Sequence, residues 1–377
     1  MKTLLKNGVL VDKTSTLNHK TVSVLIEDGR ISEVSEDISE AGYSVIDLNG
    51  AFVSAGWIDM HVHCFNEAWD EGISPDRVGV ESGVTMLVDA GSSGADNVEE
   101  FFEKSATHKT KIRAMLNISR LGLTTLHELR KIEDIDVERA IGMAEAYPDF
   151  IVGFKLRASA SVMGDDFDNP FLLARKIQTK VKKPLMVHVG NFPPSLDDVL
   201  GYLEKGDIVT HCYNGKPNGI ISDGLIRESV LKARERGVLF DVGHGTSSYS
   251  HSVARNSKAL GFYPDTAGTD IYRKNVGGPV YSLAHTMSKL MSLGYTMDEC
   301  IAMNTVNAAS ALRLDSYGSV KPGKVADLSV FRKIVRESII LDSEGEEINL
   351  NEQIVPVAVV IDGEWKETIY GNEEHIH

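Results

Sequence analysis

Four histidines, a lysine and an aspartate interrupt otherwise apolar stretches of this chain. His61 and His63 stand at i and i+2 in GWIDMHVH, residues 56–63, so an extended backbone points both to one face and Val62 to the other. His188 closes PLMVHVG, His211 lies in DIVTHCYN, Lys155 breaks the run IVGFKLRAS, and Asp270 falls late in DTAGTDI. Four imidazoles, one carboxylate and one lysine brought to one place are a metal site by composition. Singly, each has an ordinary reading. A lone core histidine bonded to backbone is commoner than a ligand, and Asp270 is compatible with a helix cap. All six falling at strand ends makes coincidence a poor explanation.

Lys155 is the most informative. An ammonium buried among apolar strands is costly unless paired or neutralised. Burial lowers its pKa, and a neutral amine takes up carbon dioxide as a carbamate. That step turns a cation into an anionic, bidentate bridge between two cations. The ordinary alternative is an ion pair with Asp270 or Asp59. Two further residues suit substrate binding. Arg157 stands two residues beyond Lys155 on the same face, where a guanidinium grips a carboxylate by a two-pronged contact. Its ordinary reading is a pair with a loop aspartate such as Asp165. His244, in GHGTSS, is placed to hydrogen-bond substrate or leaving group. Arg120, Tyr213, Asn214 and Arg273 also fall beyond strand ends. Cys64 follows His63 and Cys212 follows His211. Alternation turns each away from its neighbour's face, so both read as packing residues.

Positioning these groups requires strands whose ends converge. Between residues 55 and 317, eight strand-like runs alternate with helical patterns. The runs are 56–63, 84–91, 111–119, 151–159, 184–190, 207–214, 238–245 and 265–271. Helical stretches between them include DVERAIGMAEAY, NPFLLARKIQTKV, SLDDVLGYLEK, GLIRESVLKARERG and YSLAHTMSKLMSLG, with DECIAMNTVNAASALRL after the last unit. In GLIRESVLKARERG, Leu225, Ile226, Val230 and Ala233 keep helical spacing. Eight such units predict an α/β fold, a (β/α)8 TIM-like barrel whose strand C-terminal ends share one mouth. A doubly wound sheet is the alternative, but no glycine-rich phosphate loop follows the first run. The two ends of the chain, 1–54 and 318–377, show alternating β-branched residues punctuated by Asn-Gly and Asp-Gly turns. They predict one small β-sandwich domain built from both termini. The tail EEHIH is polar, and its two histidines read as incidental.

The 377 residues carry 39 basic and 54 acidic side chains, a formal charge of −15. That excess argues against a general nucleic-acid or anionic-membrane binder. Three cysteines form no disulfide scaffold and suit a reducing compartment. No run of 18 apolar residues occurs, and the N-terminal stretch is no secretory h-region. The expected location is cytoplasmic.

GWIDMHVH, the lysine of the fourth run, the histidines of the fifth and sixth and the aspartate of the eighth resemble the amidohydrolase superfamily. GSVKPGKVADLSVF resembles its common terminal hairpin segment, so the likeness spans essentially the whole chain. GFKLRAS, HCYNG, DVGHGTSSYS and YPDTAGTDI are similar to a bacterial subgroup labelled dihydroorotase-like, adenine deaminase-like or deacetylase. Some of its members hydrolyse acetylated D-amino acids and acetylated 2-hydroxy acids. The resemblance implies two divalent metal ions. His61, His63 and Asp270 would hold the buried one, and His188 and His211 the more exposed one. N6-carboxylated Lys155 would bridge them. Zinc suits an imidazole-rich set, with manganese, iron and cobalt also compatible. A hydroxide bridging the metals would attack the carbonyl, with Asp270 as general base and then acid.

The implied activity is hydrolysis of an N-acyl amide or O-acyl ester on a small molecule bearing a carboxylate. A cyclic amide hydrolase, of the dihydroorotase or hydantoinase kind, is the alternative. Mononuclear deaminases of this superfamily lack a bridging lysine, which ranks an adenine-type deaminase lower. A non-catalytic scaffold ranks last, since all six positions are filled. A homo-oligomer is an expectation from the resemblance alone.

Overall fold

A computed structural model describes residues 2–371. The expected tail EEHIH lies outside the described residues. Trp57–Val62 and Val84–Ala90 are buried at every position, as strands covered on both faces must be. With Lys111–Asn117, Ile151–Ala158, Leu185–Val189, Ile208–Thr210 and Leu239–Phe240 they form a seven-stranded parallel sheet ordered as in the chain. In Ile151–Ala158 only Arg157 is not fully buried. Helices on the expected stretches, among them Val137–Ala146 and Asp168–Val181, supply crossovers, and Leu283–Ser292 follows the last unit. Asp136 caps the first of these by accepting from the Arg139 backbone N–H.

The eighth expected strand is not a regular ladder. Residues 265–271 make single parallel bridges, Thr266 to Asp241 and Ile271 to Val62, so they touch both outer strands of the sheet. Two features break the ladder. Asp270 takes a positive φ of 51°. A Cβ at Gly268 would lie 2.7 Å from the Cβ of His61, so the backbone there runs against the first strand.

Two predicted helices also differ. The stretch beginning at Gly224 is helical only over Glu228–Glu235, while Leu225–Ile226 pairs antiparallel with Ile221–Ser222. Asp223 and Gly224, at φ 51° and 77°, form a tight hairpin turn that overrides the helical spacing. The stretch 298–314 splits into Met297–Met303 and Val306–Ala311, because Thr305 leaves helical geometry.

The two termini meet in one connected eight-stranded sheet. Lys2–Leu10, Thr21–Glu27, Arg30–Ser35, Ser44–Asp47 and Phe52–Ala55 come from the beginning; Leu328–Leu341, Glu347–Ile361 and Glu364–Glu367 come from the end. The junction is the antiparallel pairing of Phe52–Ala55 with residues 328–331. Asp28-Gly29 and Asp362-Gly363 turn hairpins as expected, whereas Asn7-Gly8 marks a register shift within a strand. Leu5, Val24, Val53, Val330 and Val360 form the core of this sheet. Lys2–Leu10 changes partner along its length, pairing with Ser44–Asp47 over residues 3–6 and with Phe52–Ala55 over residues 9–10, on either side of that register shift. Among the described residues no helix is long and apolar enough to cross a membrane.

Candidate active site

His61, His63, Lys155, His188, His211 and Asp270 gather at the C-terminal ends of the parallel strands. His61 Nε2 lies 3.5 Å and His63 Nε2 3.2 Å from Asp270 Oδ1, and His211 Nε2 lies 4.0 Å from Asp270 Oδ2. Lys155 Nζ is 3.1 Å from His61 Nε2. The His188 and His211 rings meet edge to face at 4.4 Å. Ligand atoms of His61, His211 and Asp270 lie within 4.8 Å of one another. His63 and His211 fall just after their strands instead of within them, and His211 has a positive φ of 67°.

Neighbouring groups fix which imidazole nitrogen faces inward. Thr210 Oγ1 donates to Asp241 Oδ2 at 2.8 Å, so it accepts from His61 Nδ1 at 2.9 Å. His211 Nδ1 donates to the Gly243 carbonyl at 2.6 Å. His63 Nδ1 meets Ser92 Oγ at 2.9 Å. In His61 and His211 the proton therefore sits on Nδ1, and Nε2 offers a lone pair to the cluster. Burial, reinforced by neighbouring cationic groups, lowers the pKa of His61 and His188 well below the usual imidazole value. His211 is brought to about 4, again chiefly by burial. All three are neutral near pH 7, the form that binds metal. Burial alone would raise Asp270; its hydrogen bond to His63 and the charges of His211 and Lys155 outweigh that and hold the carboxyl below its usual range.

Lys155 is 1% exposed, and burial lowers its pKa to about 7. Its Nζ meets His61 Nε2 and, at 3.3 Å, the sulfur of Met186. Neither Asp270 nor Asp59 is within ion-pair distance of it among the described residues, so the ordinary alternative for this lysine is not formed. Asp59 instead accepts from the Thr269 hydroxyl and backbone N–H at 2.6 and 3.0 Å, which ties the Asp270 segment to the first strand. A Cβ at Gly91, φ 91°, would lie 2.7 Å from the Lys155 side chain, so only glycine lets that lysine pass.

The donor set fits divalent metal. Neutral imidazoles, an ionised carboxylate and an amine with no carboxylate partner converge, and His211 Nε2 is buried without a hydrogen-bond partner. Trp69 and Tyr272 stand against His63 at ring distances of 5.4 and 6.5 Å and wall one side.

Arg157 and His244 differ from expectation. Arg157 Nε and Nη2 each donate at 2.6 Å to the carboxylate of Glu128, which is fully buried. The two-pronged grip is thus already filled, by Glu128 and not by Asp165. His244 is fully buried, with Nδ1 bonded to the Gly245 carbonyl at 2.9 Å and Nε2 to Lys289 Nζ at 2.8 Å. Both its nitrogens are engaged inside the protein, which leaves none for substrate. Arg120 is paired with Asp96 and Asp134, Tyr213 with Tyr295, and Asn214 with the His211 carbonyl. Cys64 and Cys212 pack in the core, and burial pushes both thiols up.

Sequence reasoning missed Thr210, Asp241, Ser92, Glu128 and Lys289. Thr210 beside His211, and Asp241 inside an apolar run, were the available signals. Lys289 alone on an apolar helix face was another. Its ammonium also donates to the carbonyls of Pro279 and Leu341, at 2.5 and 2.9 Å.

This arrangement of imidazoles and a carboxylate at the strand ends is a candidate site for a divalent metal ion. The Amidohydrolase family profile matches residues 253–366. A deacetylase of Enterococcus faecalis (strain ATCC 700802 / V583) is 39% identical over 374 residues, covering 98% of this chain and 99% of that protein. A crystal structure of an adenine deaminase superposes with a TM-score of 0.93 at 38% identity, over 97% of this chain and 99% of that one. A crystal structure of a dihydroorotase gives 0.90 at 35% identity, over 97% and 98%. The chain belongs to the amidohydrolase family and is a hydrolase acting on carbon–nitrogen bonds.

Proposed function

We propose that this protein removes an acyl group, of the acetyl kind, from an amide or ester on a small molecule that bears a carboxylate. The reading takes residues 55–317 as a closed eight-unit barrel and residues 1–54 with 318–377 as its small β-domain. The observation that carries it is the inward-facing Nε2 set of His61, His63 and His211 around Asp270, with Lys155 lacking a carboxylate partner. His61, His63 and Asp270 would hold one divalent ion, His188 and His211 a second, and carboxylated Lys155 both. When bound, the ions supply Lewis acidity and lower the pKa of water. Asp270 then takes up the proton of the attacking water at a carboxylate oxygen and returns it to the leaving amine or alkoxide. Trp69 and Tyr272 exclude bulk water on one side. His61 and His211 keep their orientation through Thr210 and the Gly243 carbonyl. Arg157 meets a substrate carboxylate only through the guanidinium edge that Glu128 leaves.

Names of similar proteins support a deacylase first and a cyclic amide hydrolase second. A panel of N-acetyl amino acids, O-acetyl hydroxy acids, dihydroorotate, hydantoin and adenine tests this with the metal-loaded chain. Turnover of acyl compounds is expected, with Asp270→Asn losing most of it while retaining much of the metal. Turnover confined to dihydroorotate, hydantoin or adenine would overturn the deacylase reading.

A further inference from the structure

At the opposite end of the parallel strands from the metal cluster lies an open cleft of about 570 Å³. Arg113, near the start of Lys111–Asn117, and Lys183, just before Leu185–Val189, stand in it with Arg30, Lys182 and Arg313. Five cations therefore face two carboxylates, Asp149 and Asp315, in a protein whose overall charge is −15. Among the described residues none of the five makes an ion pair.

What holds four of these cations is neutral. Arg113 Nη1 donates to the Ile112 carbonyl at 3.0 Å, Lys183 Nζ to Pro148 at 2.8 Å, and Arg30 Nη1 to Gly323 at 2.9 Å. Arg313 Nη1 donates to the Lys182 carbonyl. Carbonyl oxygens orient a cation without cancelling its charge, so the cleft keeps its positive field and its side chains are set in place beforehand. Arg113 Nε is buried with no hydrogen-bond partner, a donor left over after the protein's own bonds are made. Leu314 and the Tyr317 ring give one wall an apolar surface.

We propose that this cleft binds a small phosphorylated metabolite of the nucleoside diphosphate class, at a site separate from the metal cluster. Three planar guanidinium groups and two ammonium groups match phosphate oxygens. The excess of three positive charges suits a diphosphate, and Tyr317, one face of which already meets Lys111 Nζ at 5.4 Å, offers its ring edge and other face to the organic part. A strand of seven residues separates the two ends of the sheet by roughly 20 Å, too far for one small molecule to reach both.

Isothermal titration of the full chain with a nucleoside diphosphate, and with inorganic phosphate, at constant ionic strength tests this. One saturable site per chain is expected, with inorganic phosphate weaker and competing. Arg113→Gln with Arg313→Gln should weaken binding at least tenfold. Lys182→Gln with Arg313→Gln, on more exposed side chains, should also weaken it. Lys232→Gln with Lys333→Gln removes two cations held in surface ion pairs elsewhere and should leave it unchanged. No saturable binding would overturn the proposal. So would equal affinity in the cleft variants and the parent, which would put the anion elsewhere, or equal weakening in all three double variants.

Discussion

Thr210 carries no charge, yet it decides which nitrogen of His61 is free. Its hydroxyl proton goes to Asp241, so it has only a lone pair for His61 Nδ1. Thr210→Val should reduce metal affinity about 10–100-fold with the fold intact, and Thr210→Ser should restore it. Competition with a chelator measures this; unchanged affinity in the valine variant would remove Thr210 from the site. Arg157 gives the complementary case. Glu128 is fully buried, and Arg157 is its cation. Arg157→Met leaves that carboxylate uncompensated and should cost about 3–5 kcal/mol in urea unfolding, while Arg157→Met with Glu128→Met regains most of it. A raised KM for acidic substrates with stability unchanged would instead make Arg157 mainly a substrate residue.

Elements place these side chains, and one buried lysine joins three of them. Lys289, on helix Leu283–Ser292, binds His244 after the seventh strand, Pro279 in the following loop and Leu341 on the long hairpin. Burial outweighs the attraction of Asp342 and brings its pKa down to about 7. The unfolded chain, with lysine near 10.4, then binds more protons than the folded one between about pH 7 and 10, so stability rises with pH across that window. Lys289→Met should reduce the rise, leaving the part contributed by Lys155, which burial also brings to about 7, as read from urea unfolding at both ends of the window. An equal rise in parent and variant would contradict it. The parallel strands were legible because each is a short apolar run between turn signals, and the six polar interruptions stood out against them. The partners were not. Glu128 lies 29 residues from Arg157 and Lys289 45 from His244, and nothing local in the chain announces such pairings. The helical spacing of Leu225 and Ile226 failed because the Asp223-Gly224 turn is a stronger local signal than two apolar residues. The long hairpin was read only at its two ends, since residues 334–353 include exposed Val335 and Ile339 and show no buried face in sequence.

Across the whole molecule, the sheet from the two termini is part of the support for the parallel strands. Trp57 N–H donates to Ser329 Oγ, which donates to the Gly83 carbonyl at 2.7 Å. Gly56 N–H reaches the Asp327 carbonyl at 2.7 Å, and Phe331 packs on Trp57 with ring centroids 5.3 Å apart. His61 and His63 follow directly on this anchored strand. Residues 55–317 expressed alone should therefore show no cooperative thermal transition by circular dichroism. A sharp melt from that fragment would show that the strands hold themselves.

In the proposed function, His61, His63, Lys155, His188, His211 and Asp270 together hold two divalent ions. Anomalous diffraction from zinc-grown crystals of the full chain, collected at the zinc edge, tests it most directly. Two peaks per chain are expected, one among His61, His63 and Asp270 and one between His188 and His211, with carboxylated Lys155 touching both. No peak within reach of these six side chains, or an unmodified Lys155 beside a single ion, would contradict it.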